Sequence, residues 1–377
     1  MILTEEQMMI REMARDFATE QLAPNSEEWD RECRFPKEAI DAMAQLGMMG
    51  MMVPPEWDGA GTDTVSYAMA LEEIAAGDGS VSTIMSVHNS VGCMPVLRYG
   101  TDEQKERFLK PLARGEMIGA FCLTEAHAGS DASAIKTKAR KDGNKWVIDG
   151  SKQFITNGST AGVALVFAVT DPDAGKRGIS AFLVPTDTKG YVVERIEKKM
   201  GLNASDTCAL RFEGVEVTPD LMLGEEGQGY KIALSNLEGG RIGIAAQALG
   251  IARAALDYAV GYAKERTSMG QPIMQHQAVG FRLADGATKL HAARQMILHA
   301  AAMKDAGQPC LTEASMAKLF ATEMAEGVVS DALQTLGGYG FMKDFPLERM
   351  ARDVRVTKIY EGTSDIQRML IARSLAA

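Results

Sequence analysis

Apolar positions in the first third of the chain recur at helical spacing. "TEEQMMIREMARDFATEQLAP" reads as a helix stopped at Pro24. Thr4 stands where an N-cap belongs, and Gln7, three residues on, closes a capping box. "FPKEAIDAMAQLGMMGMMVPPEW" reads as a Met-rich apolar helix ended by Pro54 and Pro55, with its methionines assigned to the core. "TDEQKERFLKPLARGE" opens on another capping threonine, Thr101. Near residue 119 the pattern changes. "KTKARKDGNKWVIDGSKQFITNGS" alternates apolar and polar positions and is broken by Asp142-Gly143, Asp149-Gly150 and Asn157-Gly158, pairs that signal hairpins. "AGVALVFAVT", "GISAFLVPT", "GYVVERI" and "CALRFEGVEVTP" carry strand signal on to Pro219. After "GEEGQGYKIAL" the helical period returns, and Leu249, Ala252, Leu256 and Ala259 share one face. Two further long helices follow. A last one begins at Ser364, with Gln367 completing a capping box, and together they predict a bundle. The expected order is α, β, α, with divisions at 1–118, 119–228 and 229–377.

Composition narrows the function. The 377 residues are 46% hydrophobic and 24% charged, which suits a globular chain with more than one core. A net charge of −10 argues against a nucleic-acid backbone or an anionic membrane surface as the main partner. Five scattered cysteines without C-x-x-C read as buried, reduced thiols. The histidines form no H-x-x-x-H, so no structural metal is expected. No apolar run reaches the ~18 residues of a membrane span. The N-terminus carries acids early, unlike a secretory signal or transit peptide. A cytoplasmic protein is expected, or a processed chain such as one of the mitochondrial matrix.

The motifs G-x-G-x-x-G, G-x-x-x-x-G-K-[ST] and G-x-S-x-G do not occur, so a Rossmann site, a P-loop and a serine hydrolase are unsupported. Two stretches carry candidate chemistry. In "KIYEGTSDIQRML", Glu361 precedes a helix start whose free N–H groups and positive dipole suit an anion. Gly362 lets a ligand approach the backbone. The carboxylate is then a candidate base on that ligand, or part of a solvated loop. In "FCLTEAHAGSDASA", Thr124, Ser130 and Ser133 gather around Gly129. Such a loop can offer N–H groups to a flat polar cofactor or a phosphate, or be an ordinary glycine turn. His127 reads as a surface residue.

These stretches resemble the acyl-CoA dehydrogenase family. The resemblance spans the whole chain through "FCLTEAHAGSD", "GSKQFITNG", "LEGGRIGIAAQALGIA", "GGYGFMKDFPLERMARD" and "IYEGTSDIQR". It implies an α+β multidomain fold: an N-terminal helical domain, a middle β-barrel-like or sandwich domain, and a C-terminal four-helix bundle. It also implies non-covalent FAD and, usually, a homotetramer. The reaction implied oxidises an acyl-CoA to the trans-2-enoyl-CoA: a glutamate removes the pro-R α-proton and a hydride leaves the β-carbon for flavin N5. Electrons would pass to an electron-transferring flavoprotein, in fatty-acid β-oxidation or branched-chain amino acid catabolism.

Carried over by position, Glu361 is the base. Phe121, Leu123 and Thr124 line the flavin, with Phe154 and Thr156 beside its ring. Many relatives have Trp where Phe154 stands. Arg266, Ser268 and Gln277, then Gln334 through Gly337 and Gly338, match segments reaching the FAD of a neighbouring subunit. Thr363 and Asp365 match a further FAD contact, although Gln or Glu is common in place of Asp365. Ser130 falls among both cofactor and acyl-CoA contacts. Tyr230, Glu238, Gly240, Arg241 and Gly362 match acyl-CoA contacts. Some branches carry the base at the position of Gly240, which leaves Glu238 as the near rival to Glu361. Through "SVHNSVG" and "EGGRIGIAAQ" the chain resembles short-chain and short-branched members, making butyryl-, isobutyryl- and 2-methylbutyryl-CoA the expected substrates. An acyl-CoA oxidase or related flavin enzyme using oxygen is the rival enzyme reading. A non-catalytic helical scaffold is the rival of another class.

Overall fold

A computed structural model describes residues 2–376, with all side chains except that of Glu238. Helix starts follow the side-chain chemistry of their caps. The helix Glu5–Phe17 opens on Thr4, whose hydroxyl accepts from the Gln7 backbone N–H at 3.2 Å while Gln7 Oε1 accepts from the Thr4 N–H at 3.0 Å. Thr101 and Gln104 form the same box. Asp63 and Asp78 cap the buried helices Thr64–Gly77 and Gly79–Val87. The Met-rich helix departs from expectation. It spans only Lys37–Gln45, because Gly47 turns left-handed at φ +73° well before the prolines. Met48, Met49 and Met51 are nonetheless buried, in irregular turns of the helical core.

The middle of the chain forms β1 (Gly119–Cys122), β2 (Lys138–Asp142), β3 (Lys145–Thr156), β4 (Val163–Val169), β5 (Ile179–Pro185), β6 (Tyr191–Ile196), β7 (Thr207–Val217) and β8 (Met222–Leu223). They join in the order β6-β7-β3-β2-β4-β5-β8, with β1 parallel to β4. The two halves meet through a single β2–β4 pair, Lys138 with Val169, and enclose one core containing Trp146, Ile148, Phe167, Phe182 and Phe212. Of the three expected hairpin turns only Asp142-Gly143 closes one, between β2 and β3. Asp149-Gly150 lies inside β3, where the pairing with β7 slips and the backbone crosses closely over Thr137. Asn157-Gly158 ends β3, but β3 pairs with β7 and β4 with β5. A turn dipeptide encodes a local bend; tertiary pairing chooses the partner strand.

The C-terminal third comprises the helices Gly229–Glu265, Gln277–Asp305, Leu311–Leu336 and Ser364–Leu375, with a short one at Leu347–Val354. Leu249, Ala252, Leu256 and Ala259 are buried, as their spacing predicts. Thr363, not Ser364, caps the last helix, accepting from the Ile366 N–H at 3.3 Å. Gln367 instead donates to the Gly362 carbonyl. Four cysteines are buried thiols, but Cys33 is exposed at the left-handed end of a surface helix. Among the described residues no cluster of metal-ligating side chains occurs, and no helix is long and apolar enough to cross a membrane.

Gly250 permits the close crossing of the long helix over Thr64–Gly77. A Cβ there would overlap the Glu72 carbonyl and stand 2.8 Å from the Ala75 methyl. Gly261, on the same helix, faces open space. Gly250→Ala is therefore expected to destabilise by ~1–3 kcal/mol. Gly261→Ala should be neutral or stabilising by under ~1 kcal/mol. Thermal melts of both variants check the contrast.

Candidate active site

After a 3-10 turn at Arg355–Lys358 the backbone goes left-handed at two consecutive residues, φ +53° at Glu361 and +90° at Gly362. For a non-glycine residue this costs ~1–2 kcal/mol. The turn aims the Glu361 side chain back at the long helix, against Gly240. A Cβ on Gly240 would stand 2.9 Å from the Glu361 carboxyl carbon and overlap Oε2, so only glycine fits beneath the carboxylate. Oε2 has no solvent contact and no hydrogen-bond partner among the described residues. Burial pushes the Glu361 carboxyl up to about 7, against the opposing pull of Arg241 and Lys318. Lys318 is wholly buried and donates to the Gly362 carbonyl at 2.7 Å. Its ammonium is pushed down to about 8 by burial, against Glu361, which holds its proton on. Beneath lie Tyr360, bonded to Gln247, and Tyr67, donating to Ser86 Oγ at 3.4 Å. Gly240 and Arg241 are buried on the long helix; the side chain of the rival, Glu238, lies outside the described residues.

A second group forms where β1 and β3 end side by side. The pairing of β3 with β7 slips between Lys152 and Ile155. There Phe154 takes φ +59° and holds its ring 63% exposed, a costly posture for an unpartnered aromatic. Across from it, Phe121 packs on Phe167 at 4.9 Å, Leu123 is buried and Thr124 half-buried. The Gln153 N–H donates to the Thr124 carbonyl at 2.9 Å. Buried Lys152 fastens this loop, donating to the Leu123 carbonyl at 3.0 Å and to Glu125 at 2.8 Å. Glu125 accepts in turn from the N–H groups of Lys136 and Thr137. Thr156, half-buried, closes β3; Ser130 and His127 are exposed. Tyr230, half-buried in the first turn of the long helix, lies under the Lys176 ammonium.

A third group is separate and exposed. Arg266 and Ser268 lie in the ribbon after the long helix, with Gln277 at the start of the next. The Arg266 guanidinium sits 5.9 Å over the ring of Tyr339, which follows exposed Gly337 and Gly338 in the chain; Gln334 is exposed one turn earlier. Thr363 is occupied in capping, and exposed Asp365 pairs with Arg368 at 3.3 Å. Sequence reasoning passed over Lys318 and Lys152. The signal for Lys318 is a lone lysine on an otherwise small, apolar stripe with Ala314, Ala317, Ala321 and Ala325.

Three family models cover the chain: the acyl-CoA dehydrogenase N-terminal domain over residues 4–116, the middle domain over 120–215 and the C-terminal domain over 227–376. The chain belongs to the acyl-CoA dehydrogenase family. It is 49% identical to an acyl-CoA dehydrogenase of Bacillus subtilis (strain 168), covering 100% of this chain and 99% of that one. It is 48% identical to the mitochondrial short-chain specific acyl-CoA dehydrogenase of Bos taurus, covering 99% and 90%. Butyryl-CoA dehydrogenase from Megasphaera elsdenii superposes with a TM-score of 0.98 at 42% identity over 100% of both chains. A chain from a structural study of the electron transferring flavoprotein of Acidaminococcus fermentans gives 0.98 at 46%, covering 99% and 98%. A glutaryl-CoA dehydrogenase from Mycobacterium smegmatis in complex with FADH2 gives 0.94 at 34%, covering 99% and 95%. As an acyl-CoA dehydrogenase the protein is an oxidoreductase whose cofactor is FAD. The exposed Phe154 ring and the fastened loop after β1 fit a flat aromatic group.

The raised carboxyl of Glu361 bears on stability. Its folded value, about 7, exceeds that of an unfolded glutamate, so its contribution is fully present below the unfolded value and is lost as pH rises through 7. Ionisation in place costs up to ~3 kcal/mol. Glu361→Gln, neutral throughout, is expected to melt above the wild type at pH 8–9, with the gap closing toward pH 5. Melts of the FAD-loaded proteins across that range check it; parallel curves would contradict the buried ionisation.

Proposed function

We propose that this dehydrogenase oxidises short or short-branched acyl-CoA thioesters to trans-2-enoyl-CoA, with Glu361 as general base and an electron-transferring flavoprotein as acceptor. The observation that carries the reading is Glu361 Oε2 itself: dehydrated, unpartnered among the described residues, and held by strained backbone. A carboxyl poised near neutrality can take a proton at working pH and release it again. Glu361 Oε2 receives the α-proton, and the Glu361 N–H polarises the thioester carbonyl as enolate-like charge develops. Bound FAD supplies the hydride acceptor. Phe121, Leu123, Thr124, Phe154 and Thr156 would hold its ring, and Ser130 would contact both cofactor and acyl-CoA. Tyr230, Glu238, Gly240, Arg241 and Gly362 receive the CoA ester. The exposed group of Arg266, Ser268, Gln277, Gln334, Gly337 and Gly338 serves FAD across a homotetramer interface, a role that its exposure on the single chain supports, and Thr363 and Asp365 make the further FAD contact. The proposed domains are 1–118, 119–228 and 229–377. Short-chain specificity is supported by the bovine relative and by the Megasphaera butyryl-CoA enzyme, and the acceptor by the Acidaminococcus study.

Glu361→Gln should keep FAD and bind acyl-CoA, while anaerobic flavin bleaching slows by at least the ~10²–10⁴-fold of a lost general base. In the wild type the bleaching rate should rise with pH through about 7, as the carboxyl ionises. Glu238→Gln is the control; a dead control beside a near-normal Glu361→Gln would move the base to Glu238. Substrate and acceptor are tested together with an acyl-CoA panel, oxidised with electron-transferring flavoprotein and separately with oxygen. C4–C5 thioesters should exceed palmitoyl-CoA in kcat/KM, although each methylene is worth only ~1–3 kcal/mol. Preference for C12 or longer, or stoichiometric peroxide at the full rate, would contradict the assignment.

A further inference from the structure

Lys318 stands where an ordinary helix would place another alanine. It is wholly buried in Leu311–Leu336, beside Ala314, Ala317, Ala321 and Ala325. An ammonium taken out of water at such a place is retained only if something nearby uses it. Its hydrogen bond goes to the Gly362 carbonyl at 2.7 Å, and the charge that attracts it most is Glu361. Stapling the last helix does not by itself require a cation. Gln367 Nε2 already donates to the same oxygen at 2.9 Å. Two donors on one carbonyl fix the plane of the peptide that follows Gly362, and so the left-handed pair that aims Glu361. What Lys318 adds beyond Gln367 is charge.

We propose that Lys318 is a positioning residue for Glu361: its ammonium pins the Gly362 carbonyl, and its buried charge favours the ionised carboxylate. This rests on the reading of Glu361 as the base. The groups that face Glu361 come from four places. They are Arg241 on the long helix, Lys318 on the third bundle helix, Tyr67 on the buried N-terminal helix, and Tyr360 adjoining in sequence. Burial raises both tyrosines far above their ordinary value, so they stay neutral across the working range. Arg241 is a permanent charge. Arg241 and Lys318 are the two cations that oppose dehydration of the carboxylate, and each favours the form that can accept the α-proton.

The test is the pH profile of anaerobic flavin reduction by butyryl-CoA, from pH 6 to 9, in three FAD-loaded variants. Lys318→Met removes bond and charge, Lys318→Gln removes the charge but keeps a donor, and Lys318→Arg keeps both. With the cation gone, the acid limb of Met and Gln variants should move up by at least ~1 unit, so that reduction at pH 7 falls at least about fivefold and recovers toward pH 9. Lys318→Arg should keep its limb near the wild type. A Met profile lowered in amplitude with an unmoved limb would make Lys318 merely structural. An Arg limb shifted as far as the Met limb would exclude charge as the agent. Should the Met variant not hold FAD, the Gln variant decides by the same limb. If Glu361→Gln reduces at the wild-type rate, it is the assignment of the base that fails, which separates the two ideas.

Discussion

A carboxylate pressed against a bare stretch of helix backbone sets the terms for much of this molecule. Glu361 can lie over residue 240 only because that residue is glycine. It reaches there only because two consecutive residues turn left-handed. Both conditions are unfavourable locally: a glycine inside a helix weakens it, and αL strains a glutamate. Oε2, out of contact with solvent, adds a further cost once the carboxyl ionises. Against a typical net stability of ~5–15 kcal/mol these are large sums, and the surrounding helices must offset them. They do so with short side chains. Ala245, Ala246, Ala248, Ala252, Ala255 and Ala259 are all buried on the long helix, letting neighbouring helices approach closely and exclude water.

Charge pairs do the remaining fastening, each at a junction of elements. Buried Glu72 and Glu73 on the helix Thr64–Gly77 meet Arg253 of the long helix, Arg294 of the next and Arg15 of the first. Three cations around two carboxylates tie the N-terminal helices to the bundle and fix their mutual rotation. In the β region, Lys152 and Glu125 form the corresponding pair, satisfied on both sides by backbone groups. Such a pair gives little net stability over an apolar substitute, but breaking one side strands the other. Its use here is geometric: it holds the loop after β1 against the strand that presents Phe154.

The two candidate halves of the site thus rest on different physics. Glu361 is governed by dehydration, since nothing described donates to Oε2 and its ionisation answers to Arg241 and Lys318. The aromatic face is governed by backbone geometry, since a slipped register rather than a side-chain contact turns Phe154 outward. Strain at both, in residues with positive φ, is what stored geometry at a working site looks like.

Much of the secondary structure was legible along the chain because its causes are local. The capping boxes at Thr4 and Thr101 need only side chains three residues apart, and the apolar face of Leu249 to Ala259 needs only a period. The family was legible through five ordered segments, and with it Glu361 as a candidate. Other features depended on partners far away in sequence. The hairpin pairs at Asp149 and Asn157 were misleading, because pairing with β7 and not the local bend decides the strand. The Met-rich helix was cut short at Gly47, and the last cap moved to Thr363 because Gln367 is drawn to Gly362. The alanine stripe around Lys318 is written in the chain, but only folding takes the water from its ammonium and places it by Glu361. Sequence by itself determined where helices and strands begin and which family motifs the chain carries, since those rest on neighbours in the chain. Tertiary structure alone decided which groups lose their water, and a carboxyl moved to about 7 is a property of what surrounds it.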